Sequence, residues 1–473
     1  MTQHPETLIA AAALALLSGC TSLSPEGGLQ DVRALVAGKT AGVEAALARS
    51  DTDATRTAVA TLLQKPLTAE SAVRIALLNN PGLHASLSTL GVSDAERVRA
   101  ATLPNPHFAI GRFTEGSMLE IERALTFNVI GLITLPWKAK YQGQQHELAK
   151  MQAAQGVVKL AADTRKAWIN AVAAEQTARY MGDAKAAAEA SGELARRLSR
   201  VGNWSKLQQA REQVFVADAA AQLARSQQNA FAEREKLIRL LGMWGAQTQF
   251  TLADRLPALP QAATEMQDVE ARALRERLDV RSAVAESGYV ADSMGLTKAT
   301  GVINALDLTY RRNTIFDNTA GTQETRRGWE LDLPLPIFDW GNAGNARAQA
   351  LYMQSVARVR EAAIKARSEA REAYHGYRTA YDLARHYQDE VVPLRKFISD
   401  EMLLRYNGML NSAFDMLVDT RLSIAAVNSS IEAQRDFWLA DTDLQTTLTG
   451  LSSGANTMMK ADAMQGNGEG KGH

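Results

Sequence analysis

Residues 328–347, GWELDLPLPIFDWGNAGNAR, constrain the fold more than any other stretch of the chain. Trp329, Leu331, Leu333 and Leu335 alternate with Glu330 and Asp332, the period-two pattern of a strand with two unlike faces. Pro334 and Pro336 exclude a central, fully paired strand position at that point. Past Gly341 and Gly344 the pattern becomes that of an Ala/Arg/Glu-rich helix of roughly sixty residues. An amphipathic strand therefore has to pass through a Pro/Gly corner directly into a long helix.

The transition occurs twice. Ala76-Leu77 is echoed by Ala273-Leu274, Leu135-Pro136 by Leu335-Pro336, and Arg200-Val201-Gly202 by Arg405-Tyr406-Asn407-Gly408. The offsets run from about 197 (Ala76 to Ala273) to about 208 (Gly242 to Gly450), which marks one long duplication rather than a short solenoid repeat. The first repeat is predicted over 67–260, with strands at about 107–136, a turn at Thr114-Glu115-Gly116-Ser117 and a helical hairpin at about 138–244. The second is predicted over 261–451, with strands at about 302–337 and a hairpin at about 341–450. A helix over 138–200 would be on the order of 90 Å long. The predicted class is mainly α with a small β part.

Upstream, a linker over 20–66 holds a predicted helix at 30–48. Thr68 is placed as an N-cap with Ser71 behind it, Asn79-Asn80-Pro81 interrupts the helix, and another helix follows over 83–101. Ala210, Ala217, Ala224, Phe231 and Ile238 stand seven apart, as do Leu417, Ile424, Ile431 and Trp438, so each return helix carries a coiled-coil seam. Residues 452–473 are polar and Gly-rich, and disorder is expected there.

Lys+Arg and Asp+Glu balance at 52 each in 473 residues, so no net field favours nucleic acid. The single cysteine, Cys20, excludes an internal disulfide and any Cys-based metal cluster. It follows an apolar run at 8–17 too short to span a bilayer, and Leu17-Ser18-Gly19-Cys20 has the form of a bacterial lipobox. The expectation is a lipoprotein signal peptide over 1–19 and lipid on the Cys20 thiol, with Thr21 in place of Asp implying outer-membrane sorting. Residues 1–7 hold no Lys or Arg, so the basic n-region is missing or the start lies upstream. No later segment has 18 uncharged apolar residues.

From about residue 66 to 450 the chain resembles the TolC-like outer-membrane efflux protein family. The resemblance rests on Asn79-Asn80-Pro81, on Leu103-Pro104-Asn105-Pro106 and on the corner Leu333-Pro334-Leu335-Pro336-Ile337-Phe338-Asp339-Trp340-Gly341. Arg405-Tyr406-Asn407-Gly408 followed by Asp415-Met416-Leu417-Val418-Asp419 completes the set. It implies a homotrimer in which each protomer gives four strands to a twelve-stranded outer-membrane barrel, continued by a periplasmic α-helical barrel. It also implies a passive exit channel in a Gram-negative outer membrane, served by a periplasmic adaptor and, through it, an inner-membrane transporter. Physics agrees, because four strands cannot cover their own edges in lipid.

The resemblance makes Asp415 and Asp419 candidates for the channel entrance, where a three-fold ring of like charge attracts cations; an ordinary solvated helix face is the alternative. Arg200, Gly202, Asn203, Trp204, Tyr406, Asn407 and Gly408 are expected at hairpin tips that dock an adaptor, with Gly202 and Gly408 reversing the chain. Trp137, Trp329 and Trp340 suit a membrane interface or a plug at the strand-to-helix corner, which also includes Pro136, Pro334, Pro336 and Gly341. Met402, Met409 and Met416 stand seven apart, and Met458, Met459, Met464 and His473 lie in the tail. A Met series suits soft cations, but coiled-coil filling and disorder account for these positions, and His375 and His386 lack an i, i+4 ligand spacing. No metal site, no cofactor beyond the lipid and no enzymatic constellation is expected. The cargo is open between small toxic solutes, heavy-metal ions and, through type I secretion, protein. A non-channel coiled-coil adaptor lipoprotein is the rival class, and the alternating strand at Trp329–Leu335 argues against it.

Overall fold

The computed structural model describes residues 22–40, 42–116, 118–300, 305–335, 337–338 and 340–450. Residues 1–19, where a signal peptide is expected, Cys20, Pro336 and the tail at 452–473 with its Met and His residues lie outside the described residues. The chain divides into two compact units. One comprises Ser88–Ala153 and Ser282–Ala362 with the residues before Arg33; the other comprises Arg33–Leu87, Ala154–Arg281 and the residues from Ala363 onward.

In the first unit a four-stranded antiparallel sheet runs in the order β1 (His107–Glu115), β2 (Met118–Asn128), β3 (Asp307–Asp317) and β4 (Thr322–Asp332). Gly116 and Gly321, with φ of 57° and 66°, supply the left-handed residues of the two strand connections. Helices α4 (Pro81–Ala101) and α8 (Leu278–Thr300) precede the two strand pairs. One face of the sheet carries Glu120, Glu122, Asn313, Arg311 and Glu330, joined by hydrogen bonds from Asn313 to both glutamates and from Arg311 to Glu330. The other carries Phe108, Leu125, Tyr310 and Trp329 in one rung, with the Tyr310 and Trp329 rings 5.1 Å apart. The two-faced strand read from Trp329 and Glu330 is present, and it ends at Asp332, before Pro334.

The first strand pair is shorter than expected. β2 stops at Asn128, whose carboxamide oxygen accepts the Gly131 N–H, and a 72-residue helix, α5 (Val129–Arg200), starts there. Residues 129–135 lack strict alternation, and Thr134 donates to the Ile130 carbonyl one turn back. Pro136 therefore lies inside the helix instead of closing a strand, leaving one carbonyl without its helical N–H. The helix predicted over 30–48 is also shorter. α1 (Leu29–Val36) gives way to left-handed Gly38 and Gly42, with φ of 73° and 78°, before α2 (Asp53–Leu62).

In the second unit, α3 (Ala69–Asn79) starts at the Thr68 cap, with Thr68 and Ser71 in a reciprocal capping box. The Asn79-Asn80-Pro81 motif has a physical task. Asn79 donates to the Leu241 and Gly242 carbonyls at 3.0 Å and Asn80 to the Leu240 carbonyl at 2.8 Å, closing the C-terminus of α6 (Lys206–Leu241). Gly242 has φ 66°, and a Cβ there would meet the Asn79 carbonyl oxygen at 2.7 Å. The core joins Ile75, Trp168, Val172, Leu237 and Leu241, and the Trp168 indole donates to the Leu67 carbonyl at 2.8 Å. A second cluster packs Phe437 against Tyr377 and Tyr381, with ring centroids 5.6 Å apart in both pairs. Arg277, after α7 (Val269–Glu276), is fully buried between Asp279 at 2.6 Å and Glu369 at 2.9 Å.

The duplicated order is present, but the second outgoing helix is interrupted. The outgoing helix of the second hairpin is α9 (Asn342–His386), a π-turn at Tyr387–Val391 and α10 (Val392–Asn407), before the return helix α11 (Ala413–Thr449). Pro393 cannot supply the N–H that an α-helix would bring to the Asp389 carbonyl, and the wider turn absorbs the misfit. The seams differ too. Leu417 and Ile431 are buried within the chain, whereas Ala210, Ala217, Ala224 and Phe231 face outward. α6 packs within the chain through Glu212, Ala219, Ala230 and Leu237 instead.

Candidate functional site

The two hairpin tips are the same turn. At the first, α5 ends at Arg200, and Gly202 takes a left-handed conformation with φ 81°. Its N–H donates to Ser199 at 3.2 Å and that of Asn203 to Leu198 at 2.9 Å, the two bonds of a Schellman cap. Ser205 then caps α6 with Gln208 in a capping box. At the second, Met409 has φ 59°; its N–H donates to Tyr406 at 3.0 Å and that of Leu410 to Arg405 at 2.8 Å. Ser412 caps α11 with Asp415 in the same reciprocal box. Gly202 and Met409, Ser205 and Ser412, and Gln208 and Asp415 share one offset of 207 residues. Gly408, expected to reverse the chain, does not do so: its φ is −78°. The reversal falls on Met409, where a side chain costs about 1–2 kcal/mol in this conformation.

Arg200, Gly202, Asn203, Asn407 and Gly408 are exposed at these tips, while Trp204 and Tyr406 are half-buried. The most exposed apolar groups of the two tips are ones left out of the expected docking set. Met409 is 94% exposed, Leu410 78% and Val201 70%, with Leu207 and Leu404 also outward. Apolar side chains in a tight exposed turn are themselves the sequence signal that could have found them.

Asp415 and Asp419 lie on one helix in different surroundings. Asp415 is turned back onto the Ser412 hydroxyl at 2.6 Å, serving its own helix end. Asp419 is buried, 3.8 Å from Arg395 on α10, and its Oδ2 has no hydrogen-bond partner. Glu212 holds the equivalent position on α6, 207 residues earlier, and is 1% exposed. It accepts from Arg421 of α11 at 2.5 Å and from Ser191 at 2.7 Å, and Arg421 stacks on the Phe215 ring at 4.2 Å. Sequence reasoning singled out Asp419 and missed Glu212, although both stand seven residues beyond a capping serine.

Met402, Met409 and Met416 do not form a common surface. The Met402 sulfur accepts from Asn411 at 2.9 Å, Met409 is fully outward and Met416 is half-buried. His386 lies 3.1 Å from Glu390, and His375 lies 3.5 Å from the Thr379 hydroxyl. Among the described residues, no three His, Cys, Asp or Glu side chains converge as metal ligands. Among them, too, no helix is long and apolar enough to cross a membrane.

At the corner after β4, Pro334 follows the strand, the Ile337 N–H donates to Leu335 at 2.8 Å, and Gly341 turns the chain into α9 with φ 79°. Leu335, Ile337, Phe338 and Trp340 are all exposed. Gly344 meets only an ordinary contact to Thr297, so it is not required for the turn. Pro136 and Trp137, expected at the matching corner, lie on α5 beyond the turn at Asn128, with Trp137 half exposed.

A four-stranded sheet whose two strand pairs each lead into a helical hairpin is shared with known structures. The chain superimposes on the outer-membrane channel CmeC of Campylobacter jejuni with a TM-score of 0.69 at 14% identity, covering 85% of this chain and 90% of that one. For CusC, described for its folding and transmembrane channel formation, the TM-score is 0.66 at 14% identity, covering 81% and 92%. For the open state of the MtrE outer-membrane channel of Neisseria gonorrhoeae it is 0.64 at 16% identity, covering 81% and 89%. The chain has the TolC-like fold. No protein-family model and no curated protein sequence matches it. The tips at Gly202 and Met409 are one turn repeated 207 residues apart, whereas the corner at Gly341 has no such counterpart, because β2 passes directly into α5 at Asn128.

Proposed function

We propose that the chain is the protomer of a passive outer-membrane exit channel, the last component of a tripartite efflux system in a Gram-negative bacterium. The observation that carries this reading is the two-faced sheet with open edges. β1 and β4 each pair on one side only, and one face bears Phe108, Ile110, Trp329 and Leu331 outward. In hydrocarbon every unpaired backbone group costs several kcal/mol, so further copies must close the sheet. Three copies give twelve strands, the homotrimer implied by the family resemblance. The outward line of Ala210, Ala217, Ala224 and Phe231 suits a neighbouring protomer's helix.

In this reading the hairpins form a periplasmic tunnel whose tips meet a periplasmic adaptor, and the adaptor links the channel to an inner-membrane transporter. Arg200, Gly202, Asn203, Trp204, Tyr406, Asn407 and Gly408 remain the docking set, joined by Val201, Met409 and Leu410. Asp419 is the better entrance residue of the pair, since Asp415 is committed to its capping box. The Arg421–Glu212 pair, which joins the return helices of the two hairpins, holds the entrance closed, and adaptor engagement loosens it. Cys20 carries the lipid anchor. Arg97 holds the Ser22 carbonyl at 3.3 Å and Asp94 the Ser24 N–H at 2.8 Å, so the segment following Cys20 is fastened to α4.

The cargo proposed is small toxic solutes, and heavy-metal ions are one class that the test covers. The test is a strain lacking the chain, grown on a panel of drugs and metal salts. Loss of tolerance to some of them, restored by returning the gene, is expected. Unchanged tolerance to all, together with a defect in secreting a protein, would redirect the reading to type I secretion.

A further inference from the structure

The apolar face of the sheet is interrupted by one charged rung. Arg123, Arg312 and Arg327 are directly opposite one another on β2, β3 and β4. On β1 the rung itself is held by Ile110, and Arg112 stands one rung further along the same face, opposite Ile121. The carboxylates of the four strands fall on the opposite face, where Glu330 and Glu324 pair with Arg311 and Arg326. Among the described residues, the four arginines of the apolar face make no ion pair. Like charges directly opposite on neighbouring strands, about 4.8 Å apart, destabilise a sheet unless an anion comes from outside.

The rung sits midway along the strands. If the strands alone spanned the bilayer, each arginine would lie near its centre, where a charge on the lipid face is most destabilising. The exposed apolar belt instead continues past the strand end through Leu331, Leu333, Leu335 and Ile337. From Arg327 to Leu335 is at most about 26 Å of extended chain, roughly 20 Å of height at the ~40° tilt of barrel strands, which covers most of the ~25 Å apolar band of an outer-membrane barrel. Beyond the rung the face is mixed, with Thr314, Gln323 and Thr325 standing among Leu119, Ile121 and Phe316.

We infer that Arg112, Arg123, Arg312 and Arg327 form a binding belt for the anionic phosphate headgroups of membrane lipid, at the level where the apolar band ends. The inference rests on the membrane reading of the sheet. Guanidinium groups suit the site because their planar donors grip phosphate oxygens in pairs, while their stems lie along apolar surface.

The test uses the full chain, floated with vesicles of phosphatidylcholine alone or mixed with phosphatidic acid. The wild type is expected to insert into both and to favour the phosphatidic acid mixture, the preference falling about five-fold for each arginine replaced by glutamine. R311Q/R326Q, on the other face, keeps the preference. R327Q, on the exposed edge strand, gives the readout if R123Q/R312Q/R327Q fails to fold. Equal insertion of wild type into both vesicles overturns the belt and leaves the membrane reading standing. Loss of the preference in millimolar inorganic phosphate, at constant ionic strength, overturns the lipid as ligand. Failure to insert into either vesicle overturns both.

Discussion

Glu212 and Asp419 hold the same place in the two return helices, seven residues beyond the serines that cap them, and both are buried. Their surroundings have diverged. Glu212 is bound by Arg421 at 2.5 Å and by Ser191, whereas Asp419 has Arg395 at 3.8 Å and an oxygen without a partner. Duplication supplied two buried acids, and one of them is locked across the hairpins.

Removing Arg421 leaves Glu212 as a buried carboxylate with only a serine. Arg421→Ala should destabilise the protein by about 3–5 kcal/mol, as breaking a buried pair does. Asp419→Asn should change stability by less than about 1 kcal/mol, because its pairing is already incomplete. Heat-unfolding midpoints of the detergent-solubilised variants check the contrast. Equal losses in the two would remove the distinction drawn between the acids.

The glycine positions predict an ordered series. Gly202→Ala should cost about 1–2 kcal/mol, since φ is 81° and nothing lies within 4 Å of the added Cβ. Gly242→Ala should cost more, because the same strain is joined by a 2.7 Å approach to the Asn79 carbonyl. Met409→Gly should stabilise by about 1 kcal/mol at the second tip. Denaturation midpoints of the three variants give the order directly.

How much of this was legible in the sequence follows from the range of the interactions. The Thr68 cap and the interruption at Asn80 are local, so residue types and spacing carried them; the alternation also found the strand at Trp329 and Glu330, but read it on to Leu335, whereas it ends at Asp332. β2 ending at Asn128 was not legible, because residues 129–135 are apolar enough for either state and an Asn side-chain cap decided it. Gly408 misled for a related reason. A glycine near a tip suggests the reversal, but the Ser412 cap fixes the turn one residue later, on Met409. Glu212 was hidden because a charged residue on an alternating helix face looks solvated until its partner, 209 positions away, is seen.

His146 gives a pH dependence with a definite sign. Burial, then the neighbouring Lys150 ammonium, lower its pKa below the ordinary value, against the opposing pull of Asp94. Arg97 lowers it further and Glu147 raises it, and the Ser93 hydroxyl is 3.2 Å from Nδ1. The unfolded imidazole thus takes its proton at higher pH than the folded one, near 6.5. Stability contributed by the neutral ring is complete above that value and is lost as pH falls through the folded pKa. Asp94 is also lowered: burial opposes the shift, but the Ser24 N–H and Arg97 outweigh it, so its contribution is lost only in more acid solution. Unfolding midpoints should fall between pH 7 and about 5 in the wild type and fall less in His146→Gln. A parallel decline in both would assign the effect elsewhere.

In the proposed channel, copies of this sheet close into a pore whose entrance is held by Arg421 and Glu212. Single-channel recording of the purified protein in planar bilayers tests it most directly. Discrete, uniform conductance steps are predicted, larger or more frequent in Arg421→Ala than in the wild type. Protein that inserts into the bilayer yet gives no steps, in the wild type or in the variant, would contradict the account.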